Sequence, residues 1–151
     1  MKIQYGNPSD IEQWMELVKK MRDLFPGLET EEAIEEHKKT VLSFMACGGA
    51  ICAKEKDTII GVLLFSYDEC MICYLAVDPE HRRCHVAREM FFFAIEEAEH
   101  SRDVIVTTYT ERDANGKAAR AFYKKMGFSP EETVIEFGVE TQVFRLHCND
   151  R

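Results

Sequence analysis

Arg82 and Arg83 stand between a short apolar run, Leu75-Ala76-Val77, with an Asp78-Pro79-Glu80 turn, and a segment that reads as a helix start at His85-Val86-Ala87. The first turn of a helix has unpaired backbone N–H groups aimed outward and a partial positive charge. A phosphate placed there satisfies several donors at once. The two guanidinium groups add charge-assisted hydrogen bonds beside it. The plainer reading is a strand–turn–helix link with a solvated basic turn, and this segment alone does not separate the two.

A second segment runs from Asn115 to Phe128. It predicts a helix over about residues 117–126, stopped by Gly127. Ala118, Phe122 and Met126 are expected on its inner face, with Tyr123 beside them. On placement alone, a tyrosine there reads as an aromatic packing the helix edge.

Together, the two segments resemble the cofactor motifs of the GNAT superfamily of acyl-CoA-dependent N-acyltransferases. Arg82 and Ala87 match its R-x-x-G-x-A loop. Asn115, Ala118, Phe122, Tyr123, Gly127 and Phe128 match its N-x-x-A-x-x-F-Y-x-x-x-G-F helix. By segment order the resemblance covers roughly residues 50–147. One position departs: His85 stands where the family has Gly, which tolerates positive φ and close approach of a ligand.

The resemblance implies a GNAT-like α/β fold, one domain over residues 1–151, with a mixed central sheet flanked by helices on both faces. It implies acetyl-CoA as cosubstrate, its pantetheine amides held by the backbone of Leu75, Ala76 and Val77. The loop of Arg82, Arg83, Cys84, His85, Val86, Ala87 and Arg88 would take the pyrophosphate. Tyr123 matches the position that protonates the CoA thiolate. Asn115 is expected to cap its helix and also to reach the coenzyme. The implied activity is acetyl transfer to a primary amine of a small cationic molecule such as a polyamine, an amino sugar or an aminoglycoside. Two alternatives remain open: a non-catalytic domain that senses acyl-CoA, motivated by His85, and a protein acetyltransferase acting on lysine or an N-terminal amine.

The base that takes the amine's proton is less legible. Asp68 and Glu69 precede the cofactor strand, and Glu111 and Asp113 follow the next one. Glu69 and Glu111 are the better candidates, because strand ends face the cleft in open α/β sheets. Each is also readable as a surface carboxylate.

Composition narrows the class. The chain has 151 residues, 46% hydrophobic and 30% charged, enough for a core and unlike a disordered chain. No apolar run approaches the roughly 20 residues that span a bilayer, and residues 1–5 lack a signal-peptide core. A cytoplasmic protein is expected. The net charge of −8 argues against a nucleic-acid partner. Basic residues nonetheless cluster at Arg82, Arg83 and Arg88, and again at Lys117, Arg120, Lys124 and Lys125. The acidic remainder would favour a cationic substrate, or simply keep the surface solvated. The six cysteines are read as thiols. Cys70 and Cys73 form a C-x-x-C with His81 and His85 downstream. On a strand, however, residues three apart face opposite sides, so no metal site is expected.

The supporting elements read in the order β-α-α-β-β-β-α-β-α-β-β. Ser9 to Glu12 suggests a capping box opening the first helix, whose apolar stripe runs from Ile11 to Phe25. Thr30 caps the second, which carries His37 on its inner face as a half-buried packing residue. Strands flank Lys56-Asp57 and Gly138. The helix after the arginines carries Met90, Phe91, Phe92 and Phe93, enough apolar surface to cover a sheet and leave one Phe for a homodimer contact.

Overall fold

The computed structural model describes residues 1–82 and 85–151. Arg83 and Cys84, both assigned above to the pyrophosphate loop, lie outside the described residues.

Seven strands form one mixed sheet: β1 (Lys2–Tyr5), β2 (Ala50–Glu55), β3 (Thr58–Ser66), β4 (Met71–Val77), β5 (Val104–Tyr109), β6 (Ser129–Glu136) and β7 (Val139–Leu146). Their order across the sheet is β1-β2-β3-β4-β5-β7-β6. Only β4 and β5 are parallel. Four helices cover it: α1 (Ile11–Lys20), α2 (Glu31–Cys47), α3 (Val86–Ile95) and α4 (Lys117–Lys125). Residues of α1 and α2 pack into one apolar cluster with Cys52, Val62, Leu64 and Tyr74. Residues of α3 and α4 pack into a second, with Ile51, Leu63, Phe65 and Phe144. The sheet therefore separates two cores, as the element order implies.

Local chemistry sets most of these elements. Lys56 and Asp57 both have positive φ (50° and 67°) and close a two-residue hairpin between β2 and β3. Phe137 (51°) and Gly138 (75°) do the same between β6 and β7. Thr30 Oγ1 accepts from Ala33 N at 3.0 Å and opens α2. At the first helix the cap is not Ser9. Asn7 and Asp10 form the capping box of a 3-10 turn (Pro8–Asp10) that leads into α1, and the Ser9 hydroxyl donates to the Asn7 side chain. Pro8 at the start of that turn moves the cap two residues upstream of Ser9. The apolar stripe out to Phe25 also spans more than α1, which stops at Lys20 and passes into a second 3-10 turn (Arg22–Leu24).

Two features aim the strands at the site. A Cβ at Gly61 would stand 2.8 Å from Val86 Cγ1 and 2.9 Å from Met90 Cε, so its absence lets α3 lie close on β3. Fully burying a side chain such as Phe91 there is worth about 1.5–3 kcal/mol. The second feature is a β-bulge. On β3, Leu64 and Phe65 are adjacent, yet they face Tyr74 and Ile72, leaving Cys73 as the extra residue on β4. A regular strand would put residues 70, 72, 74 and 76 on one face. Instead Cys70 and Ile72 belong to the α3/α4 core, and Tyr74 and Ala76 to the α1/α2 core.

Candidate active site

The bulge opens the sheet. β4 pairs with β5 only through Met71↔Ile105 and Ile72↔Val106. From residue 73 to 77, β4 is bonded to β3 alone, and its other edge presents free backbone N–H and C=O groups to a cavity of about 1410 Å³. β5 meanwhile stays paired to β7 along its whole length. The two parallel strands thus diverge, and the cavity between them is lined by residues from both faces of the sheet.

Leu75, Ala76 and Val77 line this cavity on the free edge of β4. Arg82, His85, Val86, Ala87 and Arg88 line it where α3 begins. Among the described residues no side chain caps α3, which leaves its first-turn N–H groups for a ligand. His85 has φ +59° and ψ 22°, the left-handed conformation that Gly adopts freely. The side chain therefore does not force φ negative: the loop keeps a left-handed residue here and carries the strain, in a residue type that tolerates it better than most. Arg88 lies with its guanidinium carbon 5.5 Å from the centre of the Phe92 ring.

On the other wall, α4 packs Phe122 and Met126 against the core as expected, with Tyr123 beside them, but not Ala118. Ala118 is exposed, whereas Arg120 and Tyr123 are buried. Arg120 does not join a basic cluster at the coenzyme. Its Nη1 donates to Tyr109 O (3.1 Å) and Gln142 Oε1 (2.7 Å), and its guanidinium packs over Phe144. On the same helix Tyr123 packs on Phe128 and Phe144. Tyr123 lines the cavity, and burial pushes its phenol above the usual value. Asn115 also lines the cavity, but it is not the cap: Asp113 Oδ1 accepts from Asn115 N at 2.9 Å and opens the turn before α4.

Neither Glu69 nor Glu111 lines the cavity. Both are exposed, and Glu111 reaches only Arg120, at 3.8 Å. The five described cysteines are free thiols. Cys70, buried and at φ 52°, precedes β4, while Cys73 is the exposed bulge residue.

Groups from distant segments complete the site. Glu136, at the end of β6, lines the cavity with its Oε1 accepting from Thr107 Oγ1 (2.7 Å) and Thr141 Oγ1 (3.3 Å). Thr107 follows Val106, the last β5 residue paired with β4, so this carboxylate faces the bulge across the gap. No cation pairs with it among the described residues. His37 and Tyr74 lie on the α2 side. Phe137 and Gly27 close the mouth: a Cβ at Gly27 would stand 2.8 Å from the Phe137 ring. A period-2 reading of residues 133–137 gives no hint of this, because Glu136 acquires its role only through Thr107.

A mixed sheet parted beside a helix start, with a free strand edge leading to it, suits an extended acyl thioester that carries a diphosphate. The chain belongs to the acetyltransferase (GNAT) family, whose model matches residues 14–128. It has the GNAT fold and uses acetyl-CoA. Similar solved structures include an N-acetyltransferase from Staphylococcus aureus Mu50 (13% identity, 97% of this chain and 100% of that one, TM-score 0.74). A GNAT-family acetyltransferase from Streptococcus agalactiae 2603 matches at 14% identity (97% and 94%, TM-score 0.75). A protein from Salmonella typhimurium, described as a candidate acetyltransferase and solved with its cofactor acetyl-CoA, matches at 13% (98% and 94%, TM-score 0.75). At these identities the likeness is one of fold. No curated protein matches the sequence significantly. No helix among the described residues is long and apolar enough to cross a membrane.

Proposed function

We propose that the protein transfers the acetyl group of acetyl-CoA to a primary amine of a small cationic molecule. The observation that carries this reading is Glu136: a carboxylate at the parted strands, oriented by two hydroxyl donors and without a cationic partner among the described residues. Both donors bind the same oxygen, leaving Oε2 to hold an ammonium. The same cavity is lined by Phe25, Phe137 and Glu36, and Glu36 is paired with Lys39 at 3.2 Å. A positive molecule with some apolar surface suits this wall. The contact of Phe137 with Gly27 narrows the mouth, which favours a small molecule over a protein segment.

Acetyl-CoA supplies a thioester. The chain's residues have four tasks. The free edge of β4 bonds the pantetheine amides. Arg82, Arg88 and the N-terminus of α3 hold the pyrophosphate, and the family resemblance implies the same role for the loop that contains Arg83. Glu136 holds the acceptor. Tyr123 remains protonated throughout the working pH range and donates its O–H to sulfur as negative charge builds there. Its raised pKa makes complete proton transfer uphill, so hydrogen bonding is the larger part of its contribution. The cytoplasm, where the cysteines would stay reduced, is the expected compartment.

The test is thiol release from acetyl-CoA across amines of different charge and size. Turnover with small diamines and none with neutral amines or peptides supports the reading. Turnover with lysine peptides alone replaces it with the protein-modifying reading. Acetyl-CoA binding without turnover on any amine replaces it with the sensor.

A further inference from the structure

The acceptor amine must lose a proton, and the two carboxylates that precede and follow the parted strands in sequence do not reach the cavity. We propose that His37 Nε2 takes that proton, with the Tyr74 side chain holding the imidazole at the cavity wall. The proposal rests on the acetyl-transfer reading above and adds a residue to it.

Position is the first argument. Tyr74 immediately follows the bulge residue Cys73, at the point where β4 leaves β5. The ring of His37 on α2 lies 4.8 Å from the Tyr74 ring, centroid to centroid, at an interplanar angle of 56°. His37 is thus one ring removed from the free strand edge that receives the acyl donor, and both side chains line the cavity.

Unmet hydrogen bonding is the second. His37 Nε2 and the Tyr74 hydroxyl are both buried, and neither has a partner among the described residues. Tyr74 is only 7% exposed. Folded proteins rarely leave such groups unpaired, because each gives up its bonds to water without replacement. Two in contact, on one cavity wall, are suited to a ligand. A neutral primary amine can donate an N–H to the imidazole nitrogen while the phenol bonds the same polar head.

Protonation state is consistent with this role. Burial lowers the pKa of His37 below its ordinary 6.5, and no charged neighbour contributes to the shift. The titratable and charged groups lining the same cavity are Glu36 on its own helix, Cys73 and Tyr74 on β4, His81, Arg82, His85 and Arg88 beyond β4, Tyr109 on β5, Tyr123 and Lys125 on α4 and Glu136 on β6. Near neutral pH the imidazole is therefore uncharged and able to accept. In the reaction the amine lone pair forms the N–C bond, the C–S bond breaks and its electron pair goes to sulfur. The nitrogen's proton goes to His37 Nε2; the thiolate, hydrogen-bonded by Tyr123, takes a proton from water; and His37 returns its proton to the hydroxide so formed. Neutral amine and thioester become amide and thiol.

The experiment uses the full chain, acetyl-CoA, and two probes: 1,4-diaminobutane and 2-phenylethylamine. His37→Gln and His37→Ala are expected to lower kcat by about 10²- to 10⁴-fold, with acetyl-CoA affinity unchanged. The fall in kcat on the acid side should disappear with the histidine, and added imidazole should restore activity to His37→Ala. A purely structural histidine would show neither effect. His37→Gln with kcat within about threefold of wild type and the acid limb intact overturns the proposal. If the wild type turns over neither probe, the choice of amine fails separately, and His37 is read by nitrogen NMR in the acetyl-CoA complex. The same measurement applies if the variants do not fold. The expected result is an Nε2 that stays unprotonated below pH 6.5 and shifts when either amine is added. An ordinary titration with no response to both amines refutes the role.

Discussion

Replacing His85 by Gly tests the strained loop at the start of α3. A non-glycine residue at φ +59° pays about 1–2 kcal/mol for its Cβ in the left-handed region. Glycine removes that cost but gives back about 0.4–1 kcal/mol through its greater freedom in the unfolded chain. The imidazole is exposed and makes no capping hydrogen bond, so little else is lost. The net expectation for His85→Gly is a gain of about 0.5–1 kcal/mol, or about 1–4 °C in Tm for a chain of this size. His85→Ala retains the strain and should fall at or below wild type. Urea denaturation and thermal melting of the three proteins measure this, and calorimetry with acetyl-CoA follows the site. Affinity should hold or tighten in His85→Gly, because the backbone donors of α3 remain. A His85→Gly protein no more stable than His85→Ala would refute the left-handed assignment. A tenfold or greater loss of affinity, about 1.4 kcal/mol, would show instead that the imidazole donates to the phosphate.

Three further outcomes are expected. Tyr123→Phe keeps the ring packed on Phe128 and Phe144 and should lower kcat by roughly ten- to a thousand-fold with acetyl-CoA affinity nearly unchanged; normal turnover would remove the hydroxyl from the chemistry. Glu136→Gln removes a charged acceptor worth about 1.5–3 kcal/mol and should raise KM for a cationic amine by about ten- to a hundred-fold without affecting acetyl-CoA, and an unchanged KM would place the amine elsewhere. Asp10→Ala strips Lys54 of a carboxylate 2.7 Å away in a largely buried pair, for an expected loss of about 3 kcal/mol by urea denaturation at pH 7. Hydrogen bonding to Asp10 raises the pKa of Lys54 above its usual 10.5, so this contribution is full below that pH and should fade as the pH rises past it. A loss independent of pH would point to the Asn7 cap instead.

The sequence by itself determined the order of elements, the hairpins around Lys56-Asp57 and Gly138, the Thr30 cap and the two motif segments that carry the family. These are local matters: apolar periodicity, turn chemistry and capping act over a few residues, and the chain displays them directly. Tertiary structure decided what faces the site. Residues 70–76 alternate as a single strand would, and only the pairing with β3 shows that Cys73 is extra and that Tyr74 crosses to the α2 side. Arg120 reads as a surface cation, and only the folded chain shows it buried on Tyr109 and Gln142. Glu136 meets Thr107 across 29 residues of sequence, and His37 meets Tyr74 from another helix altogether. Register, bulge position and helix rotation are set by the partner element. Backbone and side-chain groups must satisfy one another across it, and that constraint is not written in either segment alone.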